Sequence, residues 1–287
     1  MIIGAIEAGG TKFVCGIGNE HGEIFEKISI PTRTPKETMK DVFQFFEGKQ
    51  IERMGVGSFG PIQVSQDQPD YGTILETPKT DWKYFPLLDE IKKNFSDDML
   101  IAVDTDVNAA AFAEMKWGAA KGMNSCVYFT VGTGIGAGAV VRGKLVHGLL
   151  HPEAGHMFVK RHPDDDFKGS CPYHGDCLEG LASGTSMRER WGKAGVDIQD
   201  KAAWDLEAYY LAQTAINALL TYSPEKIIFG GGVLNHPGLI DKVREQFSKL
   251  LNGYIKKDEV IEDVDDYIVL PGLGSEAGLK GSLALVL

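Results

Sequence analysis

The chain opens on a weak alternation of apolar and polar positions over residues 2–7, rich in isoleucine, which predicts a strand. Ala8-Gly9-Gly10-Thr11 then predicts a tight turn, Lys12 to Ile17 a second strand and Glu23 to Ile30 a third. From Pro35 to Gly48 the period lengthens to that of a helix, with Thr34 as its cap and Pro35 in its first turn. Met54 to Gly57 is a short strand ending in Ser58-Phe59-Gly60-Pro61, and Phe85 to Phe95 an amphipathic helix. Leu100 to Val103 reads as a buried strand and Asn108 to Gly118 as an Ala-rich helix.

A similar order then restarts. Ser125 to Val131 predicts a strand, residues 132–138 a glycine loop, and Ala139 to Arg142 with Lys144 to His147 two strands joined at Gly143. A helix over about 204–222, a strand at Ile227 to Phe229, Gly230-Gly231-Gly232, a helix near 238–251, a strand at Ile268 to Leu270 and a closing helix from Gly274 to Leu285 complete the pattern. The shared plan predicts a diverged duplication of a whole α/β half. The expected lobes are residues 1–117, joined by the C-terminal helix 275–287, and residues 118–274, with a substrate cleft between them.

Composition narrows the classes. With 43% apolar residues in 287, the chain can bury full cores, and a net charge of −11 argues against a nucleic-acid surface. No apolar run approaches the ~18 residues of a membrane span, and the N-terminal residues lack the basic leader of a signal peptide. Cys15 and Cys126 sit in strand-like runs as core thiols, so reduced cysteines and no export signal predict a cytoplasmic protein.

The densest chemistry is His156 followed by Cys171-Pro172-Tyr173-His174-Gly175-Asp176-Cys177. Two thiols and two imidazoles are the ligand types of a tetrahedral zinc site, and x2 spacings bring ligands of one loop together. A closed four-ligand site leaves no open position, so the expected metal, Zn²⁺, shapes a loop and does not act on substrate. His174 is the expected third loop ligand, with Asp176 or the main chain as the alternative. Glu153, His156 and Glu179 cluster around this loop, either as contacts to the hydroxyls of a sugar-like ligand or as support for the metal, and the two roles are compatible.

Gly9-Gly10-Thr11 and Gly132-Thr133-Gly134 occupy equivalent places in the two halves. Glycine lets backbone N–H groups approach phosphate oxygens, and the paired turns could clamp one polyphosphate; each alone reads equally as a simple turn. Gly132 to Ala137 also fits the dinucleotide pattern, but a hairpin, not a helix, is expected to follow it, which disfavours that reading and an oxidoreductase with it. Gly230 to Gly232 would let a flat group such as adenine lie against backbone, or simply connect strand to helix. In Asp104-Thr105-Asp106-Val107-Asn108, Asn108 or Asp106 suits a helix cap, while the functional reading makes Asp106 a base that takes a proton from a substrate hydroxyl.

Together, Glu7-Ala8-Gly9-Gly10-Thr11-Lys12, Asp106-Val107-Asn108, Gly132-Thr133-Gly134-Ile135-Gly136, Glu153-Ala154-Gly155-His156, the Cys/His cluster and Phe229-Gly230-Gly231-Gly232 resemble, in order and over nearly the whole chain, the ROK-family sugar kinases. The segments from Glu7 to Cys15 and from Ser58 to Pro61 are most similar to the bacterial fructokinases of that family. The resemblance implies a two-lobed actin/hexokinase-like (ribonuclease H-like) fold and transfer of the γ-phosphate of ATP, with Mg²⁺, to a hexose, fructose being favoured. It implies that Asp106 is the catalytic base, that Gly9, Gly10, Thr11 and Lys12 and then Gly132, Thr133 and Gly134 bind phosphate, and that Gly230, Gly231 and Gly232 bind adenosine. Gly60, Pro61, Thr105, Asp106, Glu153, His156 and Glu179 fall on the sugar site, and His156, Cys171, His174 and Cys177 on the zinc site. It further implies a homodimer. The chain departs from the family at Glu7, where many members have Asp, at Thr105, where glucokinase-like members have Asn, and in the spacing of the metal loop. Glucose, mannose and N-acetylmannosamine kinases are the rival readings. A sugar-sensing regulator of the same family would carry a helix-turn-helix ahead of the first strand, which starts here at residue 2.

Overall fold

The computed structural model describes residues 1–96 and 98–287. In chain order the strands and helices are Ile3–Ala8 (β1), Lys12–Gly18 (β2), Ile24–Pro31 (β3), Pro35–Phe46 (α1), Arg53–Ser58 (β4), Leu87–Lys92 (α2), Leu100–Thr105 (β5), Asp106–Trp117 (α3), Cys126–Val131 (β6), Ile135–Val141 (β7) and Lys144–Leu145 (β8). They continue as Leu178–Ala182 (α4), Gly184–Trp191 (α5), Lys201–Tyr222 (α6), Lys226–Gly230 (β9), Leu239–Leu251 (α7), Asp258–Ile261 (α8), Val264–Tyr267 (α9), Ile268–Val269 (β10) and Ala277–Ala284 (α10). Two compact units result: residues 1–121, 145–152 and 275–287 form the first, residues 122–144 and 153–274 the second. Among the described residues no helix is long and apolar enough to cross a membrane.

Each unit is built on a five-stranded sheet, and the two sheets share one topology. The first has the order β3-β2-β1-β4-β5 and the second, read from its far edge, β8-β7-β6-β9-β10. In both, the leading strand pairs antiparallel with the next strand of the chain and parallel with a strand reached by a crossover (β1 with β2 and β4, β6 with β7 and β9). This is the repeated plan that the alternation of the sequence predicts.

Local chemistry explains most of the boundaries. Thr34 and Glu37 form a capping box ahead of α1, with Pro35 where no N–H is needed. In α7, Leu239, Val243, Phe247 and Leu251 recur every fourth residue and are all buried, one apolar stripe on a helix whose other positions are mostly polar or charged. In the first unit, Trp82 packs against Phe13, Phe59 and Phe85, while its Nε1 donates to the Arg33 carbonyl at 2.8 Å. α10 lies on β1, β4 and α3. Ser282 Oγ donates to the Ile6 carbonyl and accepts from the Gly57 N–H, and a Cβ on Gly281 would stand 2.3 Å from the Ala109 backbone. Its glycines therefore serve close packing.

Several expected boundaries move. The glycine loop ends at Gly134, because Ile135, Ala137 and Ala139 are buried on one face of β7 while Gly136 and Gly138 pair with Thr130 and Tyr128. The helix expected from Phe85 to Phe95 shrinks to α2: the Phe85 carbonyl instead accepts from the Ile74 N–H, and Pro86 makes a tight turn in which the Leu87 N–H also donates to Phe85 O. The helix expected to start at Asn108 starts at Asp106, and neither Asn108 nor Asp106 caps it. Thr105 does, its Oγ1 accepting from the Asn108 N–H at 3.1 Å while its own backbone is still extended. The strand expected over Lys144 to His147 stops at Leu145, since residues 145–152 go with the first unit: His147 reaches Asp104, and Ile62 donates its N–H to His151.

Candidate functional site

In the first unit, strand register brings the expected site residues to one edge. Ala8 is paired with Ser58 and Ser58 with Thr105, so the parallel strands β1, β4 and β5 end on one line. The segments that leave these ends carry Gly9 to Lys12, Gly60 and Pro61, and Asp106. Carboxyl ends of adjacent parallel strands are where α/β sheets hold their ligands. The first glycine turn is fixed by its carbonyls: Thr32 Oγ1 donates to Gly9 O at 2.7 Å and Thr32 N–H to Thr11 O at 2.9 Å. Gly9 donates to Lys12 O, and a Cβ on Gly9 would lie 2.6 Å from that oxygen, so only glycine fits. Lys79, which sequence reading missed, runs past Gly10 with its Cε 3.5 Å from where a Cβ would stand. It therefore adds an ammonium beside the turn in addition to that of Lys12. Glu7, half-buried on β1, has its carboxyl pKa raised by desolvation and partly restored by Lys12.

Gly60 and Pro61 are joined by a cis peptide after β4. Asp106 is the first residue of α3, half-buried, with Oδ1 accepting its neighbour Val107 N–H at 2.9 Å. A carboxylate there is favoured by the helix N-terminus. Thr105, two per cent exposed, is committed to its capping bond.

The second unit repeats the scheme. Thr130 pairs with Gly230, so Gly132 to Gly134 and Gly231 and Gly232 leave adjacent parallel strands side by side. Gly231 has φ of 91°, and a Cβ there would lie 2.4 Å from the Val131 carbonyl oxygen, so this glycine is obligatory. The turn from Gly132 to Gly134 is held by the start of α5, where Gly184 N–H donates to Gly132 O at 2.7 Å and Thr185 Oγ1 to Thr133 O at 2.8 Å.

His156, Cys171, His174 and Cys177 come together, their donor atoms all within 4.8 Å of one another. His156 Nδ1 stands 3.7 Å from Cys171 Sγ and 3.5 Å from Cys177 Sγ, and His174 Nδ1 is 3.7 Å from Cys171 Sγ. Bonds of ~2.3 Å to sulfur and ~2.0 Å to nitrogen in a tetrahedron give S···N edges of roughly 3.5 Å, so the donor set fits zinc. The alternative ligand Asp176 turns away and accepts from Arg161 at 2.8 Å, which holds its carboxyl below the usual range. Burial pushes the Cys177 thiol up to about 11, a cost that binding a cation to the thiolate offsets.

Glu179 ties this cluster to the glycine turn. It follows Cys177 on α4, its Oε2 accepts the Ile135 N–H at 2.9 Å, and its Oε1 lies 3.9 Å from His156 Nε2. Glu153 has its pKa raised by desolvation and then by the Glu179 charge. Gly155 allows the close packing, since a Cβ would lie 1.8 Å from the Ile135 carbonyl oxygen. Gly155→Ala should therefore lower the unfolding free energy by ~2 kcal/mol or more, read as a fall in the urea midpoint. An unchanged midpoint would show that the strand gives way.

The family model for the ROK family matches residues 3–287. A fructokinase of Pediococcus pentosaceus is 46% identical over 286 residues, covering 99% of this chain and 97% of its own length. A fructokinase of Zymomonas mobilis is 42% identical over 296 residues, covering 100% and 96%. Among solved structures, a ROK hexokinase from Thermus thermophilus superposes with a TM-score of 0.80 at 23% identity, covering 100% of this chain and 98% of that one. A ROK family glucokinase from Streptomyces griseus in complex with glucose and AMPPNP does so with a TM-score of 0.77 at 24%, covering 100% and 99%. The fold is that of the actin-like sugar kinases, and with a family match over nearly every residue and relatives of this identity over the full length, the chain belongs to the ROK family.

Proposed function

We propose that this protein is an ATP-dependent fructokinase that transfers the γ-phosphate of ATP to the 6-hydroxyl of fructose. The observation that carries the reading is full-length identity of 42–46% to fructokinases of three bacterial genera, against 28–29% for glucokinases. Asp106 accepts the proton of the attacking hydroxyl, and its place at the head of α3, with Oδ1 accepting the Val107 N–H, orients it. Gly9, Gly10, Thr11 and Lys12 in the first unit, and Gly132, Thr133 and Gly134 in the second, offer N–H, hydroxyl and ammonium donors to the phosphates; of Gly230 to Gly232, which carry the adenosine site, the first two pack against Tyr128 and Val131 and only Gly232 is open. Mg²⁺, brought with the nucleotide, supplies charge neutralisation. Gly60, Pro61, Glu153, His156 and Glu179 hold the sugar, Thr105 serving it only through the capped turn that carries Asp106, and Zn²⁺ on His156, Cys171, His174 and Cys177 would give their loop its shape. No disulfide joins the four cysteines, which is in keeping with a reducing, cytoplasmic setting, and a homodimer completes the reading.

The test is a coupled ADP-release assay over a panel of hexoses with the purified protein. Fructose should give the highest kcat/KM, by about tenfold or more over glucose, mannose and N-acetylmannosamine, a margin of ~1.4 kcal/mol. The product should be fructose 6-phosphate. Preference for another hexose would overturn the substrate, and no hexose-dependent ADP release would overturn the reaction.

A further inference from the structure

Two residues before Asp106, Asp104 is a carboxylate that the reaction as described does not use. It is three per cent exposed and accepts three hydrogen bonds: Oδ1 accepts the Thr105 N–H at 2.7 Å and the Asn108 Nδ2 at 2.7 Å, and Oδ2 accepts His147 Nε2 at 2.7 Å. His147 comes from the segment 145–152, which leaves the second unit after Lys144, packs with the first and leaves it again before Glu153. The pair joins residues 43 positions apart in the chain, and the histidine is about one-third exposed while its partner is not.

The contacts bracket the corner that carries the proposed base. Thr105 and Asn108 lie on either side of Asp106, and both are bound to the same carboxylate group. Thr105 Oγ1 also caps the Asn108 N–H, closing the turn on itself. Asn108 is fully buried and its Oδ1 has no hydrogen-bond partner among the described residues, so its amide is oriented through Nδ2, which donates to Asp104 Oδ1 at 2.7 Å and stands 3.4 Å from His147 Nε2. Asp104 can hold both neighbours only while its own second oxygen is satisfied. A buried carboxylate that loses its cationic or N–H partner must find another, and here the nearest route is rotation away from Thr105 and Asn108.

We propose that His147 is a positioning residue for phosphoryl transfer: by satisfying Asp104 it locks the Thr105–Asn108 turn and with it the direction in which Asp106 meets the attacking hydroxyl. The inference rests on the fructokinase reading above. The Asp104 hydrogen bond raises the pKa of His147 against the opposing effect of its burial, in keeping with a tight pair; His151, on the same segment, is lowered by burial, drawn up by Asp104 and lowered again by His147.

Full-length wild type, His147→Ala, His147→Gln, Asp106→Asn and the double variant His147→Ala/Asp106→Asn are compared in fructose phosphorylation. Misplacing a reacting group by an ångström can cost on the order of 100-fold, so His147→Ala should lower kcat by about 10- to 100-fold, with the KM for ATP changed by less than about threefold. His147→Gln, whose amide can still donate to Asp104, should recover most of the loss. Because His147 acts through Asp106, His147→Ala should cost nothing further when Asp106 is already Asn. A full additional loss in the double variant, or wild-type kcat in His147→Ala, would overturn the role. An imidazole resonance that vanishes in His147→Gln should titrate above the ordinary histidine range and fall back in Asp104→Asn. A titration indifferent to Asp104→Asn would also overturn the role, whatever the activity. A wild type inactive on every hexose would instead overturn the kinase reading, and is thereby distinguished from failure of the pair.

Discussion

Asp106→Asn should leave fructose and ATP binding within a few-fold of wild type and lower kcat by roughly 10²- to 10⁴-fold, the usual contribution of a positioned general base. Few substitutions separate chemistry from structure so cleanly. Asparagine keeps the oxygen that accepts the Val107 N–H, so the start of α3 should survive. What disappears is the basic oxygen and the negative charge at the helix N-terminus. The remaining rate would come from alignment of the hydroxyl with the γ-phosphate and from electrostatic stabilisation by the glycine turns, which supply most of the acceleration in phosphoryl transfer. Isothermal titration of fructose together with steady-state kinetics checks both halves. Near-native turnover would remove Asp106 from the role of base; lost binding of both ligands would mean that the turn had been disrupted.

The second large effect is expected at the metal cluster. Cys177→Ser replaces a fully buried thiol, one of four converging donors, with a hydroxyl that is a poor zinc ligand. Loss even of an outer partner of a zinc ligand costs roughly 10- to 100-fold in metal affinity, so loss of a direct ligand should exceed that. The damage should spread along a short path. Cys177 immediately precedes α4, α4 carries Glu179, and Glu179 bonds the Ile135 N–H at the end of the Gly132–Gly134 turn. Sugar affinity, thermal stability and zinc stoichiometry should therefore fall together. In the wild type, apparent zinc affinity should fall as pH is lowered, because both thiols and both imidazoles must lose their protons before they can bind. Elemental analysis, a melting curve and fructose titration of the same preparation make the check, and unchanged metal content would strike Cys177 from the ligand set.

The cap of α1 at Thr34 and Pro35, the stripe of α7 and the two-fold repetition of strand, turn and strand are all legible in the amino-acid pattern, because each depends on neighbours a few residues apart. Local patterns mislead where two local rules compete. Ile135, Ala137 and Ala139 alternate as a strand should, yet the intervening glycines read as loop; burial of one face against the core decides for β7. Phe85 to Phe95 has helical spacing, but the Phe85 backbone is already taken by Ile74. At the head of α3 three side chains could cap the helix, and Thr105 does so because the strand β5 runs past its apolar core to that residue.

The sequence by itself determined the class of the fold, its duplication, the family, and the chemical types of the site: glycine turns, a carboxylate beside a helix start, and two thiols with two imidazoles. Tertiary structure alone decided which of these meet within each unit. The alignment of Ala8, Ser58 and Thr105 is set by ladder hydrogen bonds between strands far apart in the chain, and lateral register leaves no mark in a linear pattern. The same holds for Asp104, which finds its partner in His147 across 43 positions. A local motif states what a residue can bind; only the closed fold, by excluding water and fixing distance, selects what it does bind.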